Sequence, residues 1–94
     1  MANSRKYKSI TVHGKKYPEV EIHWMDIVGD SSIATAEEFG KMKPANLISK
    51  CYLYKRTKDY IYTFATYQVD NDESYGDRNV FPVGIVKKVL RIPL

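Results

Sequence analysis

The chain has 94 residues, a mass of 10.9 kDa and a formal charge of +4 at neutral pH. A length this close to one ordinary domain excludes two separate lobes, and a hydrophobic content of 44% argues against a disordered chain. The one cysteine excludes an internal disulfide framework, and no apolar run approaches the roughly 20 residues that cross a bilayer. We expect a single domain over residues 1–94, cytoplasmic and without membrane contact.

Charge is distributed unevenly along the chain. Residues 1–16 contain five lysines and arginines and no acid, whereas residues 70–77 contain four acids. The first eight residues also have little to bury. We therefore predict that residues 1–8 form a flexible basic arm that guides anionic partners by long-range attraction.

Alternation of apolar and polar residues, which is typical of strands, begins at Ser9. Residues 9–12 alternate and meet a turn at 13–16, where Gly14 supplies backbone freedom. Residues 18–24 return as a half-buried strand with its valine, isoleucine and tryptophan on one face. This pattern predicts a hairpin.

The alternation stops after Val28, and the next regular element is a short helix near residues 35–43. Thr35 can cap its first turn, acids follow the cap, lysines come later, and Pro44 ends it. Beyond the helix, strand patterns return. We predict two strands, 47–55 and 60–68, joined by a turn at 56–59. A polar loop follows at 69–77, and then two last strands, 78–83 and 85–92, with a bend at Pro82 and Gly84.

These elements predict a mostly β protein. Five to six short strands in so short a chain favour a strongly bent antiparallel sheet or barrel of the SH3-like or Sm-like type, with the one short helix near residues 35–43. Closing the sheet would remove the exposed edges of such strands. The alternative is an open sheet with the helix packed on one face.

Five segments carry a resemblance to a known group of proteins. They are Val20-x-Ile22-x-Trp24-x-Asp26, Lys43-Pro44-Ala45, Ser49-Lys50-Cys51-Tyr52-Leu53, Asp59-Tyr60-Ile61 and Phe81-Pro82-x-Gly84-Ile85-Val86.

In this order, across residues 20–92, the segments resemble small bacteriophage proteins of unassigned function. The chain departs from that pattern at Cys51, where glycine is expected, and in its extra basic hairpin at the amino terminus. The resemblance implies a compact β domain of SH3-like or Sm-like cast that acts as a phage accessory protein inside an infected bacterium. It supplies no catalytic residues.

Residues suited to catalysis are few. A nucleophilic pair of Cys51 and His23 is conceivable if neighbouring strands bring them together, but a buried thiol and a surface imidazole are the simpler interpretation. His23 and Asp26 fall on opposite faces of a strand, which argues against a shared metal ion. The five glycines are scattered and form no phosphate-binding loop. We predict a protein that is not an enzyme and has no cofactor or metal.

Tyrosines interleaved with cations follow the central hairpin. If Leu47, Cys51 and Leu53 point inward, the intervening residues point outward. Such a surface can stack a base and hold a phosphate, can form a protein contact, or can simply cover the sheet. The predicted binding residues are Lys50, Tyr52, Tyr54, Arg56, Tyr60 and Tyr62, with Trp24 and Asp26 as second choice.

We therefore expect a small binding protein that occupies and blocks a host component. A host protein is the favoured partner. Nucleic acid or an anionic signalling nucleotide, sequestered to counter host defence, is the alternative, and a homo-oligomer is possible.

Overall fold

The computed structural model describes residues 6–70 and 72–94. It contains one α-helix, α1 (Ala36–Gly40), and a one-turn 3₁₀ helix (Val83–Ile85). The strands are β1 (Ser9–Val12), β2 (Lys15–Asp26), β3 (Ala45–Arg56), β4 (Tyr60–Phe64), β5 (Thr66–Tyr67), β6 (Tyr75–Gly76), β7 (Asn79–Pro82) and β8 (Val86–Arg91).

Six strands form one antiparallel sheet in the order β1-β2-β3-β4-β7, and β8 pairs with β2. The long strand β2 pairs with β1 near its start, with β8 farther along, and with β3 throughout this second part. Strands β5 and β6 form a separate two-stranded sheet. The prediction of a mostly β, antiparallel protein is confirmed. Among the described residues the sheet does not close into a barrel, because β1 and β7 end the strand order without pairing to each other.

The first hairpin is confirmed, and its turn shows why glycine is needed there. Val12 pairs with Lys15, so the turn has only two residues, and both have positive φ: 49° at His13 and 80° at Gly14. Two-residue hairpin turns of this hand match the twist of the flanking strands. The His13 ring also reaches the hairpin formed by β5 and β6, since its Nε2 lies 2.8 Å from the Gln68 carbonyl oxygen.

The helix is confirmed, together with its cap. The Thr35 hydroxyl accepts from the Glu38 backbone N–H at 3.1 Å, and the Glu38 carboxylate accepts from the Thr35 backbone N–H at 3.2 Å. Helix α1 ends at Gly40, earlier than predicted, and buries no residue. The alternative fold is therefore right about an open sheet within the described residues but wrong about a helix packed on one face.

The predicted strand 60–68 and loop 69–77 need correction. The strand is broken at Ala65 into β4 and β5, and the end of the loop returns as β6 to pair with β5. The break follows from the Ala65 N–H donating to the Gly76 carbonyl at 3.3 Å, which turns the chain out of the main sheet. Side-chain alternation alone could not reveal this change of partner.

The predicted flexible arm does not extend over residues 6–8. The Lys8 N–H donates to the Ile92 carbonyl at 2.7 Å, and the Leu94 N–H donates to the Lys6 carbonyl at 3.2 Å. The backbone groups of residues 6–8 and 92–94 therefore satisfy one another by hydrogen bonding. The rest of the predicted arm, residues 1–5, lies outside the described residues.

Buried side chains form two clusters on opposite sides of the sheet. We call the first the inner cluster, since both ends of the sheet contribute to it, and the second the aromatic cluster. The inner cluster contains Val20, Ile22, Cys51, Ile61 and Phe81, against which Trp24, Leu53, Val83, Val86 and Val89 pack. The aromatic cluster contains Val12, Tyr17 and Phe64, with Ile10, Tyr52, Tyr67 and Tyr75 packed against it.

Candidate binding site

A β-bulge in the central hairpin rearranges the predicted face. Leu53 pairs with Thr63 and Lys55 pairs with Tyr62, so Tyr54 has no residue opposite it. The extra residue shifts the alternation by one position beyond the bulge. Arg56 pairs with Ile61, whose side chain belongs to the inner cluster. The prediction that Arg56 shares a face with the tyrosines is therefore wrong.

Lys55 takes the place predicted for Arg56. Its Nζ lies 4.5 Å from the centre of the Tyr62 ring, within the range of a cation–π contact. Lys50 stays beside Tyr52, since the two share a face of β3 and line one pocket with Glu19, but both lie before the bulge, whereas Lys55 and Tyr62 lie beyond it. The predicted continuous row of cations and tyrosines is thus divided.

The tyrosines of β3 serve the core as well as the surface. The Tyr52 ring is half-buried with its centre 5.6 Å from that of Phe64, so it covers the aromatic cluster. Tyr54 stacks on Tyr17 at 5.8 Å with an interplanar angle of 18°, yet keeps 41% of its surface exposed. Of these two, Tyr54 is the more exposed.

On β4, Tyr60 and Tyr62 share a face, with ring centres 6.4 Å apart. Tyr60 is 46% exposed and pairs with Pro82 near the strand's start, whereas Tyr62 lies deeper and pairs with Val80. Tyr62 lies opposite Lys55, the residue after Tyr54, whereas Tyr60 lies farther along, beyond the Arg56–Ile61 pair.

An open groove of about 470 Å³ lies between these residues and the returning chain. Of the predicted binding residues, only Tyr54 and Tyr62 line it. None of the described residues that line it is acidic. We call it the tyrosine groove, and its lining is Tyr54, Tyr62, Thr63, Phe64, Tyr75, Arg78, Asn79 and Val80.

Tyr75 forms one wall and is the residue that sequence reasoning missed. Its ring centre lies 4.7 Å from that of Phe64 and 5.2 Å from that of Tyr54. The signal in the sequence is one aromatic residue within an acidic stretch that otherwise has nothing to bury. Arg78 comes just after the end of the same stretch and also lines the groove.

A chain of hydrogen bonds holds this wall to the first hairpin. The Tyr75 hydroxyl donates to the Glu73 carboxylate at 3.0 Å and lies 2.9 Å from the Tyr17 hydroxyl. Lys15 donates to the same carboxylate at 3.0 Å. Burial and the bond with Tyr17 raise the pKa of Tyr75, while the bond from Lys15 lowers the pKa of Glu73. Tyr75 is thus kept neutral and Glu73 ionised.

Beside the groove, β7 is an edge of the main sheet: within residues 6–70 and 72–94 it pairs only with β4. The Val83 N–H donates to the Asp59 carbonyl, so bonded and non-bonded pairs alternate from there along β7. Tyr62 and Val80 form a non-bonded pair. The backbone N–H and C=O of Val80 therefore point away from β4, toward the free edge.

The second-choice residues have structural contacts. Trp24 meets Phe81 edge-on at 5.2 Å and donates its indole N–H to the Ser49 hydroxyl at 3.0 Å. Asp26 accepts from the Ile27 N–H at 2.8 Å at the end of β2. These contacts account for both residues within the fold.

The geometry argues against a Cys51–His23 pair. Cys51 is buried in the inner cluster, whereas His23 lies on the other face with its Nε2 3.1 Å from the Glu21 carboxylate. Burial raises the pKa of the Cys51 thiol. Across the described part of the chain, no three His, Cys, Asp or Glu residues are grouped to hold a metal ion. No helix there is both long and apolar enough to cross a membrane.

No protein-family model matches the chain, and neither a curated protein nor a solved structure is significantly similar to it. The residues and their geometry are therefore the basis for any functional assignment.

Proposed function

We propose that this is a non-enzymatic binding protein whose tyrosine groove and β7 edge take an extended segment of a partner protein. On the resemblance across residues 20–92, it is a phage accessory protein, and the partner is a host protein that it blocks. The observation that carries the proposal is a tyrosine-lined groove directly beside a strand edge that no described residue pairs with.

The groove suits one or two large side chains. Its volume of about 470 Å³ lies within the range of ligand pockets. Tyrosine and arginine, which are enriched among residues that dominate binding energy, meet there as Tyr54, Tyr62, Tyr75 and Arg78. The stacked tyrosines are fixed by their neighbours, so binding costs little side-chain entropy.

The strand edge gives the partner a backbone to pair with. The outward N–H and C=O of Val80 can accept an added strand, whose alternate side chains then point into the groove. Pro82 limits this pairing on one side, since it has no N–H. A short added strand anchored by side chains is the geometry that this edge favours.

The sheet's curvature supports the SH3-like or Sm-like assignment within the same proposal. The rings of Trp24 in β2 and Phe81 in β7 meet edge-on with their centres 5.2 Å apart, although β3 and β4 lie between these strands in the sheet order. Such contact requires a strongly bent sheet. A bent sheet of this kind leaves the tyrosine groove on its outer side.

A second candidate is an anionic ligand, either single-stranded nucleic acid or a signalling nucleotide. One observation favours it: the described lining contains Arg78 and no acid, next to tyrosine faces that can stack a base. Binding of this kind weakens steeply with added salt.

Three variants and two matched controls separate the two candidates, in a capture experiment from bacterial lysate and a titration with fluorescent oligothymidylate. Tyr62→Ala should weaken the binding of either ligand by about 1–3 kcal/mol. Val80→Pro removes the outward N–H without touching the β4 bonds, and Val80→Ala is its matched control. Arg78→Glu should abolish oligonucleotide binding, while Lys58→Glu makes the same charge change in the β3–β4 turn, outside the groove.

A host protein retained by Val80→Ala and lost by Val80→Pro supports strand addition. Oligonucleotide binding that needs Arg78 and falls with salt supports the second candidate instead. If Tyr62→Ala and Val80→Pro both bind as tightly as the parent while their melting curves are unchanged, the groove is not the binding site.

A further inference from the structure

The chain between β2 and β3 is an apolar arm that covers nothing. We define the arm as residues 27–44, which include α1. Every one of them is exposed. Ile33 is 101% exposed, Ile27 88% and Phe39 70%. Side chains of this size contribute free energy only when they leave water.

The overall dimensions reflect the same feature. The radius of gyration is 17.7 Å, against about 12 Å for a compact chain of this length. The accessible surface is 7336 Å², against roughly 5,600 Å² for a compact monomer of this mass. The excess is about twice the ~800 Å² that one partner buries in a standard interface.

Half of one face of the sheet is also left uncovered by the described residues. Met25, Ile48 and Leu90 share this face on β2, β3 and β8, since His23 pairs with Ile48 and Glu21 with Leu90. Ile48 is 58% exposed. None of the three belongs to either cluster of the described residues. We call this surface the open face.

The first part of the arm and the open face have complementary charge. Residues 27–40, which contain Ile33 and Phe39, carry Asp30, Glu37 and Glu38 and no basic residue. Lys41 and Lys43 follow in the last part of the arm, and Lys41 bonds to Glu37 at 3.4 Å. The open face carries Lys50 and Lys88, which pair in register with Glu21 and His23, and one acid, Glu21, which is bound to His23. Lys87 at its edge reaches Asn46 at 3.2 Å. The acidic part of the arm, which contains the apolar side chains of Ile33 and Phe39, therefore matches a basic surface with apolar side chains.

We propose that the arm of one copy docks on the open face of a second copy, and that the exchange is reciprocal about a two-fold axis. Ile33 and Phe39 are the apolar anchors, and Met25, Ile48 and Leu90 receive them. Reciprocal exchange covers both exposed apolar surfaces with a single contact, as a self-complementary dimer requires. The tyrosine groove shares no lining residue with either surface, so partner binding and dimer formation are separate properties.

Cysteine cross-linking tests this contact. Two separately tagged chains, one with Ile33→Cys and one with Ile48→Cys, are mixed and oxidised. The expected product is a disulfide between the two different chains. The parent, whose one thiol is buried Cys51, and a pair with Lys58→Cys in place of Ile48→Cys should give no such product.

Sedimentation measures the strength of the contact. The parent should be a dimer, and Ile33→Ser combined with Phe39→Ser should raise the dissociation constant about 100-fold or more. Lys88→Glu should weaken the dimer less, and more at low salt than at high salt. All three substituted residues are exposed, and a melting curve checks that each variant folds.

Three results would overturn the proposal. The first is a parent that stays monomeric up to the highest concentration reached. The second is a disulfide within one chain that carries both Ile33→Cys and Ile48→Cys, which would mean that the arm covers its own sheet. The third is a dimer that persists in the serine variant, which would place the interface elsewhere.

Discussion

The two halves of one face of the sheet differ in whether other parts of the chain cover them, although β2 and β3 run through both halves. At one half, Tyr17 and Tyr52 surround Phe64 and are covered by the β5-β6 sheet. At the other, Met25 and Ile48 have no cover among the described residues. The difference arises where the chain leaves β4 at Ala65 and returns over the first half only.

The comparison shows what alternation can and cannot predict. Period-two spacing assigns a side chain to one side of a strand. Whether that side meets another part of the same chain depends on where a distant segment returns. An apolar residue on an uncovered half is then a candidate for contact with another molecule.

The largest expected difference between the halves is in stability. Phe64→Ala should lower the free energy of unfolding by about 3–5 kcal/mol, because Phe64 is 1% exposed and five aromatic rings pack around it. Ile48→Ala on the open face should lower it by less than about 0.5 kcal/mol. Urea unfolding at low protein concentration, where association does not contribute, measures both.

Equal losses in the two variants would contradict the comparison, since Ile48 would then be covered within its own chain. A denaturant slope that stays the same in both variants shows that the change lies in stability rather than in the compactness of either state.

A smaller effect is expected at the Tyr75 hydroxyl. Tyr75→Phe removes its bonds with Tyr17 and Glu73 and should cost about 1 kcal/mol, or about 4–8 °C in melting temperature. The raised pKa of Tyr75 means that the folded state favours the neutral hydroxyl. That contribution is complete below the unfolded pKa of about 10 and falls as pH rises above it.

The difference in melting temperature between parent and Tyr75→Phe should therefore narrow from pH 8 to pH 11. Thermal scans at both values measure it. A constant difference would mean that the hydroxyl does not titrate differently in the folded state, and the wall of the groove would have to be held by ring packing alone.

Sequence reasoning reached the local features of this fold. The glycine turn of the first hairpin, the cap at Thr35 and the burial of Cys51 are confirmed, although the turn has two residues rather than the four predicted over 13–16. Sequence reasoning failed where a single extra residue in a strand, or pairing with a segment far away in the sequence, decides which way a side chain points. The bulge at Tyr54 moved Arg56 to the other face, and the return at Tyr75 built a wall from a predicted loop.

The same division holds for the candidate site. Tyr54 and Tyr62 were predicted because their spacing places them on neighbouring strands. Tyr75, Arg78 and Val80 were not, because they come from segments whose partners are far away in sequence. A site built from long-range returns is only partly visible in a single sequence.

The smallest expected effect concerns the ion pair that anchors the covered half. Glu73→Gln keeps the size of the side chain and removes the charge that Lys15 and Tyr75 contact. Because the pair is at the surface, the melting temperature at pH 7 should fall by less than in Tyr75→Phe. The bonds from Lys15 and Tyr75 lower the pKa of Glu73, so this contribution is present above the unfolded pKa of about 4.3 and disappears as pH falls below it. Parent and variant should therefore differ at pH 7 and coincide near pH 2.5. A difference that persists at acid pH would show that the carboxylate's charge does not hold the β5-β6 sheet over the aromatic cluster, and that shape alone separates the covered half from the open one.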